Sequence, residues 1–198
     1  MSASEPLDIK NYIGLTGDTP IRFIASDVDG TLVNDAKSVD PEVVNAVRAA
    51  RESGIRVAIA SGRAWHEMDD VIDAMPCLRY FVCTNGAYVM DKEEQKELVH
   101  ITLDKTRAVD LVRKLMTYGV FVEAYVKAEI FGQYPVVGNE TAQAEHFFRP
   151  NIRPFILKTR TMMPDLIAHL ESLPEGPEKI QIFYGDERIR ERILADLR

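Results

Sequence analysis

The reading turns on IRFIASDVDGTLVND, residues 21–35. A short apolar run from Ile21 meets acidic residues, a glycine and a threonine, the pattern of a buried strand that ends in a loop. In open α/β sheets the carboxyl ends of the strands are where sites are built. Asp27 and Asp29, one residue apart, can both face such a site once the chain leaves extended geometry. Packed carboxylates repel, and a hard cation such as Mg²⁺ relieves the repulsion through oxygen ligands. One carboxylate can then attack phosphorus while the other protonates the leaving oxygen and later activates water. Gly30 permits a tight turn, and Thr31 offers a hydroxyl and a backbone donor to phosphoryl oxygens. Taken alone, the same stretch also reads as an acidic surface turn.

Working outward, Asp40-Pro41 predicts a helix start, with Val43, Val44, Val47 and Ala50 on one apolar face before Gly54 stops it. IRVAIA, residues 55–60, is a second buried strand followed by Ser61-Gly62-Arg63. Residues 64–74 read as a helix with Trp65, Met68, Val71 and Ile72 inward. RYFVCT, residues 79–84, is a third strand, followed by Asn85 and Gly86. Near-continuous apolar strands separated by helices predict a parallel sheet with right-handed crossovers, its polar loops meeting along one edge. Ser61, at a strand end and before free helix N–H groups, suits a phosphate oxygen or a simple helix cap. Arg63 suits a substrate contact or an acidic neighbour, and Asn85-Gly86 a turn.

DVDGTL after the first strand, SGR after the second and TNGA after the third, in that order, resemble the haloacid dehalogenase-like (HAD) hydrolase superfamily and its Cof-type branch of small-metabolite phosphatases. The resemblance implies an α/β fold, a Rossmann-type parallel core carrying an α+β cap of the C2 type. It implies Asp27 as the nucleophile that becomes an aspartyl-phosphate and Asp29 as general acid/base. The Asp27 carboxylate and the Asp29 backbone carbonyl would ligate Mg²⁺, and Ser61 would be the phosphate-binding hydroxyl. Asn85 would lie near the phosphoryl group or the substrate. Gly30, Thr31, Ser61, Gly62, Arg63, Asn85 and Gly86 then form the phosphate- and substrate-binding set.

After Asn85 the style shifts, and the boundary is expected near residues 86–90. Residues 1–20 read as a polar leader, 21–86 as the N-terminal part of the core and 87–198 as the cap. AYVM and ELVHI read as two strands, residues 105–118 as a helix capped by Asp104, and VFVEAYV and EIFGQY as an antiparallel pair. Residues 139–149 read as helical or irregular, PFILK (154–158) as a strand, MPDLIAHLESL as a helix, KIQIFY as a strand and DERIRERILADLR as a final helix.

The resemblance runs over residues 21–198 but stops early. The family's third motif carries a Lys, and its fourth, GDxxND, completes the Mg²⁺ site. Gly185-Asp186 is the one candidate for the fourth. Arg190 and Glu191 stand near where the Asn-Asp pair should be, Lys158 and Lys179 lie at unsuitable distances, and only a dozen residues follow Asp186. KIQIFYGDERIRERILADLR therefore reads as a cap strand and cap helix, with the return to the core absent. The expectation is a truncated product of a longer gene, or a chain that self-associates through an exposed apolar core edge. The function expected is Mg²⁺-dependent hydrolysis of a small phosphorylated metabolite. The alternatives are an inactive fragment or a phosphate- or partner-binding remnant, with phosphotransfer to another acceptor a smaller option.

Composition narrows the classes further. Of 198 residues 46% are hydrophobic and 28% charged, which excludes collagen-like and extensively disordered chains. A net charge of −7 excludes diffuse attraction to nucleic acid or an anionic membrane and leaves room for a local anion pocket. Cys77 and Cys83 read as buried reduced thiols. With no basic start and no run of roughly 18 apolar residues, a cytoplasmic location follows by default. His66, His100, His146 and His169 lack metal-ligand spacing. Phe147, Phe148, Arg149 and Arg153 read as core or surface loop, or as ligand contacts if that segment covers the site.

Overall fold

The computed structural model describes residues 20–34 and 38–197, so the expected leader lies outside it apart from Pro20. The first sheet takes β1 (Phe23–Ser26), β2 (Arg56–Ala60), β3 (Tyr80–Cys83), β4 (Tyr88–Asp91) and β5 (Lys96–His100), in that spatial order. β1, β2 and β3 are parallel, with Ala25 opposite Ala58 and Ile59 opposite Phe81. Helix α1 (Pro41–Glu52) joins β1 to β2. A 3₁₀ turn (Trp65–Met68) and then α2 (Asp69–Ala74) join β2 to β3. Met68, Val71, Met75, Leu78, Ile59 and Phe81 are fully buried and form the centre of this core.

Two expectations change here. The Tyr88–His100 hairpin, assigned by sequence to the cap, pairs antiparallel to β3 and extends the first sheet. A short turn between adjacent antiparallel strands lets the chain stay at the sheet edge instead of leaving it. The first strand is also not buried. Phe23 is 54% and Ile24 38% exposed, because β1 is the edge strand and pairs on one side alone among the described residues.

The second sheet has the order β8-β7-β6-β9, from β6 (Phe121–Val126), β7 (Glu129–Gln133), β8 (Thr161–Met162) and β9 (Lys179–Phe183). Helices α3 (Lys105–Met116), α6 (Leu166–Ser172) and α7 (Glu187–Asp196) cover one face, burying Val112, Val122, Ala124, Leu166, Leu170 and Ile193. Asp104, Asp165 and Asp186 cap these helices through their side chains. Helices α4 (Glu140–Phe147) and α5 (Arg153–Thr159) cover the other, around Phe121 and Phe148. PFILK is therefore helical. Ile156 is buried while Phe155 and Leu157 are exposed, and Ile156 shares its cluster with Ile152, one turn earlier. The strand of KIQIFY pairs with β6 in this second sheet, as a cap strand would, and the last helix ends at Asp196. Among the described residues no helix is long and apolar enough to cross a membrane.

Candidate active site

The loops after β1, β2 and β3 meet at the carboxyl ends of the three parallel strands. Asp27, Ser61, Gly62, Asn85 and Gly86 line one cleft there, of about 350 Å³. The second and third loops are zipped by main-chain bonds. Ser61 N–H donates to the Val82 carbonyl (2.8 Å), Thr84 N–H to the Arg63 carbonyl (2.9 Å) and Asn85 N–H to the Ser61 carbonyl (3.1 Å). Gly62 lets them close, since a Cβ there would stand 3.3 Å from the Asn85 amide. Thr84, Asn85 and Gly86 all have left-handed backbones, with φ of 50°, 58° and 95°. For a β-branched threonine that is a true outlier, and such strain persists only where surroundings over-determine it. Here the buried Thr84 is held by the Arg63 carbonyl. The Ser61 hydroxyl oxygen accepts from the Arg63 N–H (3.3 Å), which leaves its own proton for an oxyanion.

Asp29, Gly30 and Thr31 stand apart from that cleft's lining. The Val28 carbonyl accepts from the N–H groups of Thr31, Leu32 and Val33, so the backbone donor expected of Thr31 is spent in the turn. Gly30 supplies that turn with φ of 77°. The Asp29 carboxylate takes two hydrogen bonds from Arg63, Nε to Oδ2 at 3.0 Å and Nη2 to Oδ1 at 2.8 Å. Arg63 also donates to the Glu67 carbonyl (3.0 Å) and lies 3.7 Å from Asp70. Burial opposes the Arg63 charge, but the Asp29 bonds and the charges of Asp29, Asp70 and Glu67 outweigh it and raise its pKa. Arg63 is thus an acid's partner in this geometry.

Among the described residues no three His, Cys, Asp or Glu side chains converge as a metal cage. The donors present are hard oxygens at an open strand end, the exposed Asp27 carboxylate and nearby main-chain carbonyls. That set fits a Mg²⁺ ion that draws most of its ligands from water and phosphate, the usual habit of this cation. The histidines serve elsewhere. His100 pairs with the buried Glu178 (2.7 Å), His146 packs on Phe147 and His169 on Phe131. Phe147 and Phe148 belong to the aromatic core around Phe121. Cys83 is buried, and burial together with the Glu178 charge pushes its thiol up to about 12, whereas Cys77 is only half-buried. Asp186 caps α7, accepting from the Arg188 N–H (2.9 Å) in the second unit.

Sequence reading missed a group at the junction of the two sheets. Arg160, 4% exposed at its side chain, binds Glu67 (2.5 Å) and Glu123 (3.0 Å), which are themselves 5% and 0% exposed. Lys179 donates to the Gly62 carbonyl (3.0 Å) and sits 3.8 Å from the centre of the Tyr125 ring. Burial lowers its pKa, against the opposing charges of Glu67 and Glu123. The one available signal was Glu123, a charge inside the apolar run VFVEAYV on the same face as Phe121 and Tyr125.

Comparison with known proteins places this arrangement. A family model described as haloacid dehalogenase-like hydrolase matches residues 24–187. The chain belongs to that family. Within it, the chain is similar to the phosphatase YwpJ of Bacillus subtilis, 31% identical over 125 residues, which cover 63% of this chain and 43% of that protein. It is also similar to the pyridoxal phosphate phosphatase YbhA of Escherichia coli, 27% identical over 114 residues, 58% of this chain and 42% of that protein. The structure of a haloacid dehalogenase-like hydrolase from B. subtilis superposes with a TM-score of 0.61 at 25% identity, covering 83% of this chain and 60% of that one. A Bacteroides thetaiotaomicron relative with a TM-score of 0.68 at 20% identity shares the fold over 90% of this chain and 63% of its own. The two curated relatives are phosphatases by name, and this chain spans less than half the length of each. The sheet with its three loop motifs and the second α+β unit both fall within the shared fold.

Proposed function

We propose that this chain carries the phosphoryl-transfer half of a Mg²⁺-dependent phosphomonoester hydrolase acting on a small phosphorylated metabolite in the cytoplasm. The observation that supports it is the convergence of Asp27, Ser61, Gly62, Asn85 and Gly86 on one cleft at the ends of three parallel strands. The Asp27 carboxylate attacks phosphorus as the bond to the leaving oxygen breaks, giving an aspartyl-phosphate. Asp29 gives that oxygen its proton and then takes one from the water that cleaves the acyl phosphate. The Ser61 hydroxyl holds a phosphoryl oxygen as charge builds on it. The Asp27 carboxylate and the Asp29 carbonyl would hold Mg²⁺, which when bound would neutralise part of that charge. Because Arg63 engages both Asp29 oxygens, a proton on Asp29 weakens that ion pair. The test is turnover of p-nitrophenyl phosphate and a phosphometabolite panel, with and without Mg²⁺. Mg²⁺-dependent release of phosphate, lost in Asp27→Asn, is expected, and equal activity in that variant would refute the reading.

Among the described residues β1 is an edge strand with Phe23 and Ile24 exposed, which favours a second reading in which the chain is inactive until another chain covers that edge. Size-exclusion with light scattering distinguishes the two. A monomer that turns substrate over removes the second reading, and activity confined to an associated form supports it.

A further inference from the structure

Phosphate loops are usually fixed by their own helix and strand. In this chain the Ser61–Ala64 loop is also gripped from the other sheet, at two points. Lys179, the first residue of β9, donates to the Gly62 carbonyl at 3.0 Å across 117 residues of sequence. Arg160, just beyond α5, binds the Glu67 Oε1 across 93 residues, while Oε2 of the same carboxylate accepts the Ala64 N–H at 2.8 Å. Glu123 anchors Arg160 from the centre of β6. Ala64, 1% exposed, packs against Tyr125 and Ile130 and so closes the junction with apolar contact.

We infer that Arg160 and Lys179 are positioning residues for the phosphate loop, so that the loop's geometry depends on the second unit staying docked. This role presupposes that Ser61–Ala64 is the phosphate site. Its physical content is a coupling. Lys179 holds the Gly62 carbonyl, and Arg160 holds Glu67 where it can take the Ala64 N–H. If docking of β9 strengthens oxyanion binding by some factor, a bound oxyanion favours docking of β9 by the same factor, since linkage is reciprocal.

The test is amide hydrogen exchange on the whole chain, with and without inorganic phosphate, in Lys179→Met, Lys179→Arg and Arg160→Lys. Losing one charge-assisted hydrogen bond should speed exchange of the Ala64, Thr84 and Asn85 amides about tenfold in Lys179→Met, with α3 and β2 amides unchanged. Lys179→Arg should restore most of the protection. Phosphate should bind several-fold more weakly to Lys179→Met and, in the unaltered chain, should slow exchange in β9. Wild-type exchange at all three loop amides in both Lys179→Met and Arg160→Lys would overturn the inference. If Lys179→Met does not fold, Lys179→Gln takes its place under the same criterion. Exchange needs no turnover, so the two readings fail separately. Loop loosening in a chain that hydrolyses nothing keeps the coupling and removes the hydrolase, while unchanged exchange in an active chain does the reverse.

Discussion

Replacing Arg160 with methionine deletes the guanidinium while keeping much of the apolar stem. It leaves Glu67 and Glu123 at 5% and 0% side-chain exposure with no cation in contact through Arg160. Each keeps one neutral donor, the Ala64 N–H for Glu67 and the Tyr125 hydroxyl for Glu123, both at 2.8 Å. Removing one partner of a buried ion pair costs about 3–5 kcal/mol, and the surviving donors put this case near the lower end, about 3 kcal/mol. At this chain length that is a fall in Tm of about 6–12 °C. Urea titration followed by Trp65, the sole tryptophan, reads the loss directly, since its ring stands edge-on to Phe81 at 5.0 Å in the first core. A deficit under about 1 kcal/mol at pH 8, the range of exposed pairs, would refute the burial argument.

Gly132→Ala should destabilise the second unit by about 1–3 kcal/mol, the usual cost of overpacking. Its new Cβ would stand 2.4 Å from Cζ of the fully buried Phe121, and a thermal melt checks the loss. A thiol held up at about 12 is almost wholly protonated at pH 8, so native Cys83 should resist iodoacetamide while the half-buried Cys77 reacts faster. Peptide mass analysis before and after denaturation reads both, and rapid native labelling of Cys83 would contradict its burial.

What the sequence showed was local. Asp27, Ser61 and Asn85 each follow an apolar run directly, so their convergence needed only the parallel sheet, which the alternation of runs and helices announces. The Asp104 cap is legible for the same reason, its acceptor lying three residues from the Arg107 N–H it serves. Pairings that join distant stretches were hidden. The β4–β5 hairpin looked like the start of a new unit because nothing in it names β3 as its neighbour. PFILK is five residues long, too short for periodicity to separate strand from helix, and Pro at the first turn of α5 favours the helix. Arg160 meets its two acids across 93 and 37 residues, a distance at which charge patterning along the chain carries no information. Even the Arg63–Asp29 pair, though both residues were singled out, needed the two strand ends brought side by side.

The placement of Glu123 on β6 also disciplines the folding of the second sheet. Its neighbours on that face are Phe121 and Tyr125, while Val122 and Ala124 face the helices. Sliding β6 by one residue against β7 and β9 would exchange those two sets. The carboxylate would then lie among Val112, Leu166 and Leu170, far from any cation that could offset its desolvation. An all-apolar β6 would pay no such penalty, since valine and phenylalanine are tolerated on either side of a strand covered by helices on both faces. One buried acid thus makes the misaligned sheet several kcal/mol worse than the native alignment, and the strand with the least polar composition acquires an unambiguous inside and outside.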